Sequence, residues 1–110
     1  MSLAVRMVNL YKYLTEEKRE YVLSKQILRS GTSVGAMVYE SEHSESTADF
    51  IHKLAIAQKE INETLYWLEL LSKTEYITAK EYDSIRTDAT EVIKLLTSIL
   101  KTIKNNKQSY

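Results

Sequence analysis

The sequence predicts an all-α fold, a single domain built as a bundle of four antiparallel helices. Three observations predict it. Apolar residues recur at helical spacing in four successive segments. No strand-like alternation of useful length is present. The 110 residues contain no proline, while the strong helix formers Leu, Lys, Glu and Ala are frequent. The length suits one domain with one core. Four helices joined by short connections should pack as antiparallel neighbours.

The first helix is predicted over about 3–16. Leu3, Met7, Leu10 and Leu14 form its core stripe at spacings of 4, 3 and 4. Thr15–Glu20 is highly charged and reads as a solvated corner. The second helix is predicted over about 21–42, with Leu23, Ile27, Ser30, Val34, Met37 and Ser41 inward. Both glycines of the chain, Gly31 and Gly35, lie in this helix in a run of small residues. Each costs about 1 kcal/mol against alanine. Being one turn apart on one face, they are expected to let another helix approach closely. The hydroxyls of Ser30, Thr32 and Ser33 are expected to return to carbonyls one turn back.

Ser41–Ser46 breaks the pattern. Ser46 with Asp49 reads as a variant capping box, opening a third helix over about 47–72, about 39 Å long. Phe50, Leu54, Ala57, Ile61, Thr64 or Leu65, Leu68 and Leu71 trace its stripe, and Ile51, Ile56, Tyr66, Trp67 and Leu70 spread beyond it. Such breadth places the helix centrally or against another subunit. Thr78 with Glu81 is a second capping box. The fourth helix, about 78–104, has the cleanest stripe: Tyr82, Ile85, Ala89, Val92, Leu96, Ile99 and Ile103. Lys101, Lys104 and Lys107 suit the negative end of its dipole. Asn105–Tyr110 reads as a frayed tail.

Composition excludes several functions. With no cysteine, disulfides and zinc-thiolate sites are impossible, which suits a cytoplasmic location. No apolar run is long enough to span a bilayer, so no membrane partner is expected. Asp49-x-x-His52 and Glu60-x-x-Glu63 have di-iron-like spacing, but only one His-containing copy exists, so no metal is expected. Neither a nucleophile elbow nor a phosphate-binding glycine loop is present. The expectation is a non-enzymatic protein without cofactors.

Charge is neutral overall, with 15 basic and 15 acidic residues, but unevenly distributed. Residues 1–30 carry six Lys/Arg against three Asp/Glu; residues 31–75 carry three against eight; residues 76–110 carry six against four. One reading is complementarity between helices of one bundle. The other is a basic face repeated around an oligomer, with Lys12, Lys18, Arg19, Lys25 and Arg29 as candidate contacts to RNA or DNA. Among eight tyrosines and one tryptophan, Tyr39, Tyr66 and Trp67 are candidates for an oligomer interface.

The stretch Leu23–Leu71 carries a combination of motifs. These are Arg29-Ser30, the small run Gly31–Ala36, Asp49-Phe50, Ala57, Lys59-Glu60, Glu63-Thr64 and Tyr66-Trp67-Leu68. In this it resembles the bacterial four helix bundle proteins, also called the 23S rRNA intervening-sequence protein family. The resemblance runs from about Leu3 to Lys104, with Tyr39 standing where many relatives have a small residue. It implies an up-and-down bundle that assembles as a homopentamer and has no catalytic activity. Some members are encoded in intervening sequences of 23S rRNA genes, and a related branch serves as a nucleic-acid-binding accessory to a reverse transcriptase. Two functions are therefore expected: a homo-oligomeric bundle that binds RNA or DNA, or a structural module for a protein partner without a nucleic-acid role.

Overall fold

A computed structural model describes residues 2–108. Four helices run α1 (Ser2–Glu16), α2 (Leu23–Ser41), α3 (Thr47–Lys73) and α4 (Ala79–Gln108). They form an up-and-down four-helix bundle with extents of 54 × 23 × 19 Å. Each helix packs on the next, and α4 closes back on α1.

The helix ends follow from local chemistry. Ser46 Oγ accepts the Asp49 amide at 3.0 Å, opening α3. Thr78 and Glu81 exchange reciprocal bonds of 3.0 and 3.1 Å, opening α4. α3 ends in a Schellman-type turn: Glu75 has φ 66°, and the Tyr76 and Glu75 amides donate back to Leu71 and Ser72. α4 is helical through Gln108, so the segment expected to fray continues the helix that far; Ser109 and Tyr110 lie outside the described residues.

The first connection differs from expectation. Glu20, placed by sequence in a solvated corner, is buried. Its carboxylate accepts the amides of Val22, Leu23 and Ser24 at 3.1, 3.0 and 2.7 Å. Three orphan donors at the start of a helix are thereby satisfied by one acid. This is why α2 begins at Leu23 rather than near Tyr21. Burial pushes the Glu20 carboxyl upward, but the three backbone bonds outweigh it and hold the group below its ordinary value.

The core divides in two. Around α1 it is continuous: Met7, Leu14, Ile27, Ile61, Leu68 and Leu71 are fully buried and pack with Ile85 and Ala89. Gly31 faces α1, and a Cβ added there would overlap Met7 Cγ and Sδ. Gly35 has only Ala4 Cβ nearby, at 3.8 Å. Thr64 Oγ1 donates to Ser30 Oγ at 3.0 Å, so the hydroxyls at this narrow crossing satisfy each other across α2 and α3.

Beyond α1 the core thins to Leu54, Ala57 and Leu96, with partly buried neighbours such as Phe50, Val38 and Ile99. The reason is length. α1 has 15 residues and α4 has 30, about 22 Å against 45 Å. The start of α1 lies level with Val92 and Leu95 of α4. The remaining half of the bundle has three helices and an apolar groove of about 440 Å³, lined by residues including Leu3, Val38, Tyr39, Phe50, Leu54 and Leu95.

Candidate nucleic-acid and subunit interfaces

The five basic residues singled out from sequence divide four to one. Lys12 lies near the end of α1, Lys18 and Arg19 in the α1–α2 connection, and Lys25 in the first turn of α2. All four are exposed. The Lys18 ammonium sits 5.9 Å from the Tyr13 ring centroid, within cation–π range. Arg19 adopts φ 52°, which helps turn the chain into α2. Among the described residues none of the four forms an ion pair.

Arg29 is different. Its guanidinium bridges α2 to α3, with Nη1 3.2 Å from Glu60 and Nη2 in contact with Glu63. Glu63 also accepts the Trp67 indole N–H at 3.1 Å. One cation between two carboxylates presents no surplus positive charge to a phosphate. The sequence could not show this, because Arg29 and Glu63 are 34 residues apart. The bridge is half exposed, and exposed pairs contribute little. A double-mutant cycle of Arg29→Ala with Glu63→Gln is expected to give a coupling of about 0–1 kcal/mol in urea unfolding. Glu63→Gln should also shift Trp67 fluorescence, since the indole loses a charged acceptor.

The three aromatic candidates separate as well. Tyr39 and Tyr66 are 66% and 61% exposed. Trp67 is half-buried against its own subunit's core, with the Tyr66 ring at its edge, 4.9 Å between centroids. Sequence reasoning missed Val5 and Val8 on the outer side of α1 and Leu95 on α4, all at least 40% exposed. The missed signal was that each falls outside its helix's core stripe. Tyr39, Leu95 and Gly35 border the open groove; both glycines approach α1, Gly31 in tight contact at Met7 and Gly35 with room to spare at Ala4.

No group of residues suited to a metal exists among those described. Asp49, half of the di-iron-like pair, is held below its usual carboxylate value, chiefly by the Lys53 ammonium 3.1 Å away. No helix among the described residues is long and apolar enough to cross a membrane.

An up-and-down bundle with exposed cations and carboxylates mixed at one turn and an unclosed apolar groove at the other end defines a small helical-bundle protein. The chain belongs to the 23S rRNA-intervening sequence protein family, whose model matches residues 1–98. It is similar to a crystal structure of a protein of unknown function from the S23 ribosomal protein family of Bacteroides thetaiotaomicron. Identity is 63%, coverage is 91% of this chain and 93% of that one, and the TM-score is 0.90. None of the curated proteins compared with it matches.

Proposed function

We propose that the protein is a non-catalytic, cytoplasmic homo-oligomer, a pentamer on the family resemblance, that binds RNA or DNA through the exposed basic groups at the α1–α2 end. The observation that carries this is the set Lys12, Lys18, Arg19 and Lys25: four exposed cations around one turn that form no ion pair among the described residues and outnumber the exposed Glu16 and Glu17 beside them. Copies arranged in a ring would multiply that field, and each neutralised phosphate releases counterions. Assembly is supported by the exposed apolar residues Val5, Val8, Tyr39 and Leu95, which cost less when covered by another subunit.

The test is binding of an RNA hairpin and a DNA duplex as salt is raised. Neutralising Lys12, Lys18, Arg19 and Lys25 to glutamine should weaken binding to both and flatten the salt dependence by about 3 log units per log unit of salt. Wild-type affinity that does not change with salt would refute the reading. Light scattering supplies the second check: Leu95→Glu with Tyr39→Glu should reduce the solution mass while leaving helicity unchanged.

The apolar groove favours a second reading, a module that docks a protein partner. A partner retained after nuclease treatment, and lost with the Leu95→Glu and Tyr39→Glu changes, would support it over the first.

A further inference from the structure

The second half of α4 carries a surface that neither the fold nor the first basic cluster accounts for. From residue 92 to residue 108 there are four lysines and no aspartate or glutamate. Lys94, Lys101 and Lys104 are exposed, and among the described residues none forms an ion pair. On a helix they fall within about 80° of arc and span about 15 Å. The exposed Thr97 lies in the same sector, and the exposed Ser98 lies about 40° beyond its edge. Gln58 of α3 extends the uncharged edge, donating to Thr97 Oγ1 at 3.3 Å. Every side chain in this sector is a cation or a neutral hydrogen-bonding group.

Two ordinary explanations fall short. The helix dipole favours cations only in the last turn, and α4 ends at Gln108, so Lys94 and Lys101 lie outside its reach. Pairing within the helix is also missing: Lys94 has the exposed Glu91 three positions before it but forms no ion pair with it, and Lys101 and Lys104 have no acid within reach. The residues three and four positions from Lys101 are Thr97, Ser98, Lys104 and Asn105, none of them acidic. Other cations do pair, Lys53 with Asp49, Lys73 with Glu69 and Arg6 with Asp88, so the α4 lysines share their unpaired state with the α1–α2 cluster.

We infer that this α4 face is a second phosphate-contacting surface, binding the phosphodiester backbone of a nucleic acid without reading its bases. This rests on the nucleic-acid reading above and adds a site to it. The chemistry matches the ligand. Lysines act as point charges for phosphates, and threonine and serine hydroxyls are backbone-contacting donors. The length of the stripe equals the rise of about four phosphates of one strand. The groups contacted are common to all sequences, so affinity depends on salt and little on sequence.

The experiment measures fluorescence anisotropy of an RNA hairpin and a DNA duplex of equal stem length, across about 50 to 200 mM salt. The full chain is compared with Lys94→Gln/Lys101→Gln/Lys104→Gln and with the α1–α2 variant described above. The stripe variant should bind about tenfold more weakly at low salt, with a salt slope smaller by about 2–3. Arginine at the same three positions should restore the slope, and solution mass and helicity should stay unchanged. Comparison of the two probes identifies whether RNA or DNA is the better ligand; loss on either supports the site.

Wild-type binding by the stripe variant, with loss in the α1–α2 variant, overturns the α4 site and leaves the proposed function standing. Failure of the unmodified protein to bind either probe overturns both. If poly-glutamate binds as tightly with the same dependence on the stripe, or if the stripe variant changes solution mass without changing nucleic-acid affinity, the face belongs to an acidic protein surface and the inference is wrong.

Discussion

Gly31→Val is expected to destabilise the bundle by about 1–3 kcal/mol, whereas Gly35→Ala should leave it unchanged or stabilise it by up to about 1 kcal/mol. The two glycines share a helix and a face, so a propensity argument predicts the same gain at both. Their surroundings differ. A Cβ at Gly31 meets Met7 Sδ at 2.5 Å and Met7 Cβ at 3.3 Å. Met7 is fully buried, so its side chain has nowhere to go, and α1 itself must move away from α2. At Gly35 the nearest atom stands at an ordinary contact distance of 3.8 Å, and a methyl group there only restricts the unfolded chain. The Gly31 change should lower the melting temperature by roughly 5–15 °C. Trimming the colliding side chain tests the cause: Met7→Ala combined with Gly31→Val should cost clearly less than the two single changes added together. Strict additivity would mean that the crowding at this crossing is not the source of the loss.

Glu20→Gln should cost about 1–2 kcal/mol near neutral pH, and that cost should shrink in acid. The carboxylate serves three amides at the start of α2, and its negative charge also faces the positive end of the helix dipole. An amide oxygen is neutral and has fewer positions from which to accept. Because the folded chain holds this carboxyl below its usual 4.5, the unfolded chain binds the proton more readily in the interval between the two values. Stability therefore rises with pH through that interval. The contribution is complete above 4.5 and is lost as pH falls through the depressed folded value. Asp49 and Glu81 are shifted downward too, so the wild-type curve contains several such groups. The difference between wild type and Glu20→Gln isolates this one. Urea midpoints measured from about pH 3 to pH 7 should converge at the acid end; a gap of constant size would show that the carboxylate's charge plays no part in the cap.

How much could be read without coordinates depends on how local each interaction is. The four stripes, the Ser46 and Thr78 caps and the family motifs are encoded within a few residues of one another, and a helix period of 3.6 repeats them often enough to be recognised. Features made by chain segments far apart could not be read. Arg29 resembled its neighbouring cations until α3 supplied Glu60 and Glu63. Trp67 resembled Tyr39 and Tyr66 until its ring turned onto the core and its N–H onto Glu63. Glu20 looked solvated because the three amides it accepts become orphan donors only when α2 forms.

The sequence by itself determined the class of fold, the order of the helices, the caps of α3 and α4 and the family to which the chain belongs, because each of these rests on periodicity or on contacts three to four residues long. Only the tertiary structure decided which glycine is crowded, which cations remain unpaired, and that α1 stops halfway along α4 and leaves a groove open. Those outcomes depend on which side chains from distant helices meet and on how far each helix reaches past its neighbours, and both are set by packing in three dimensions.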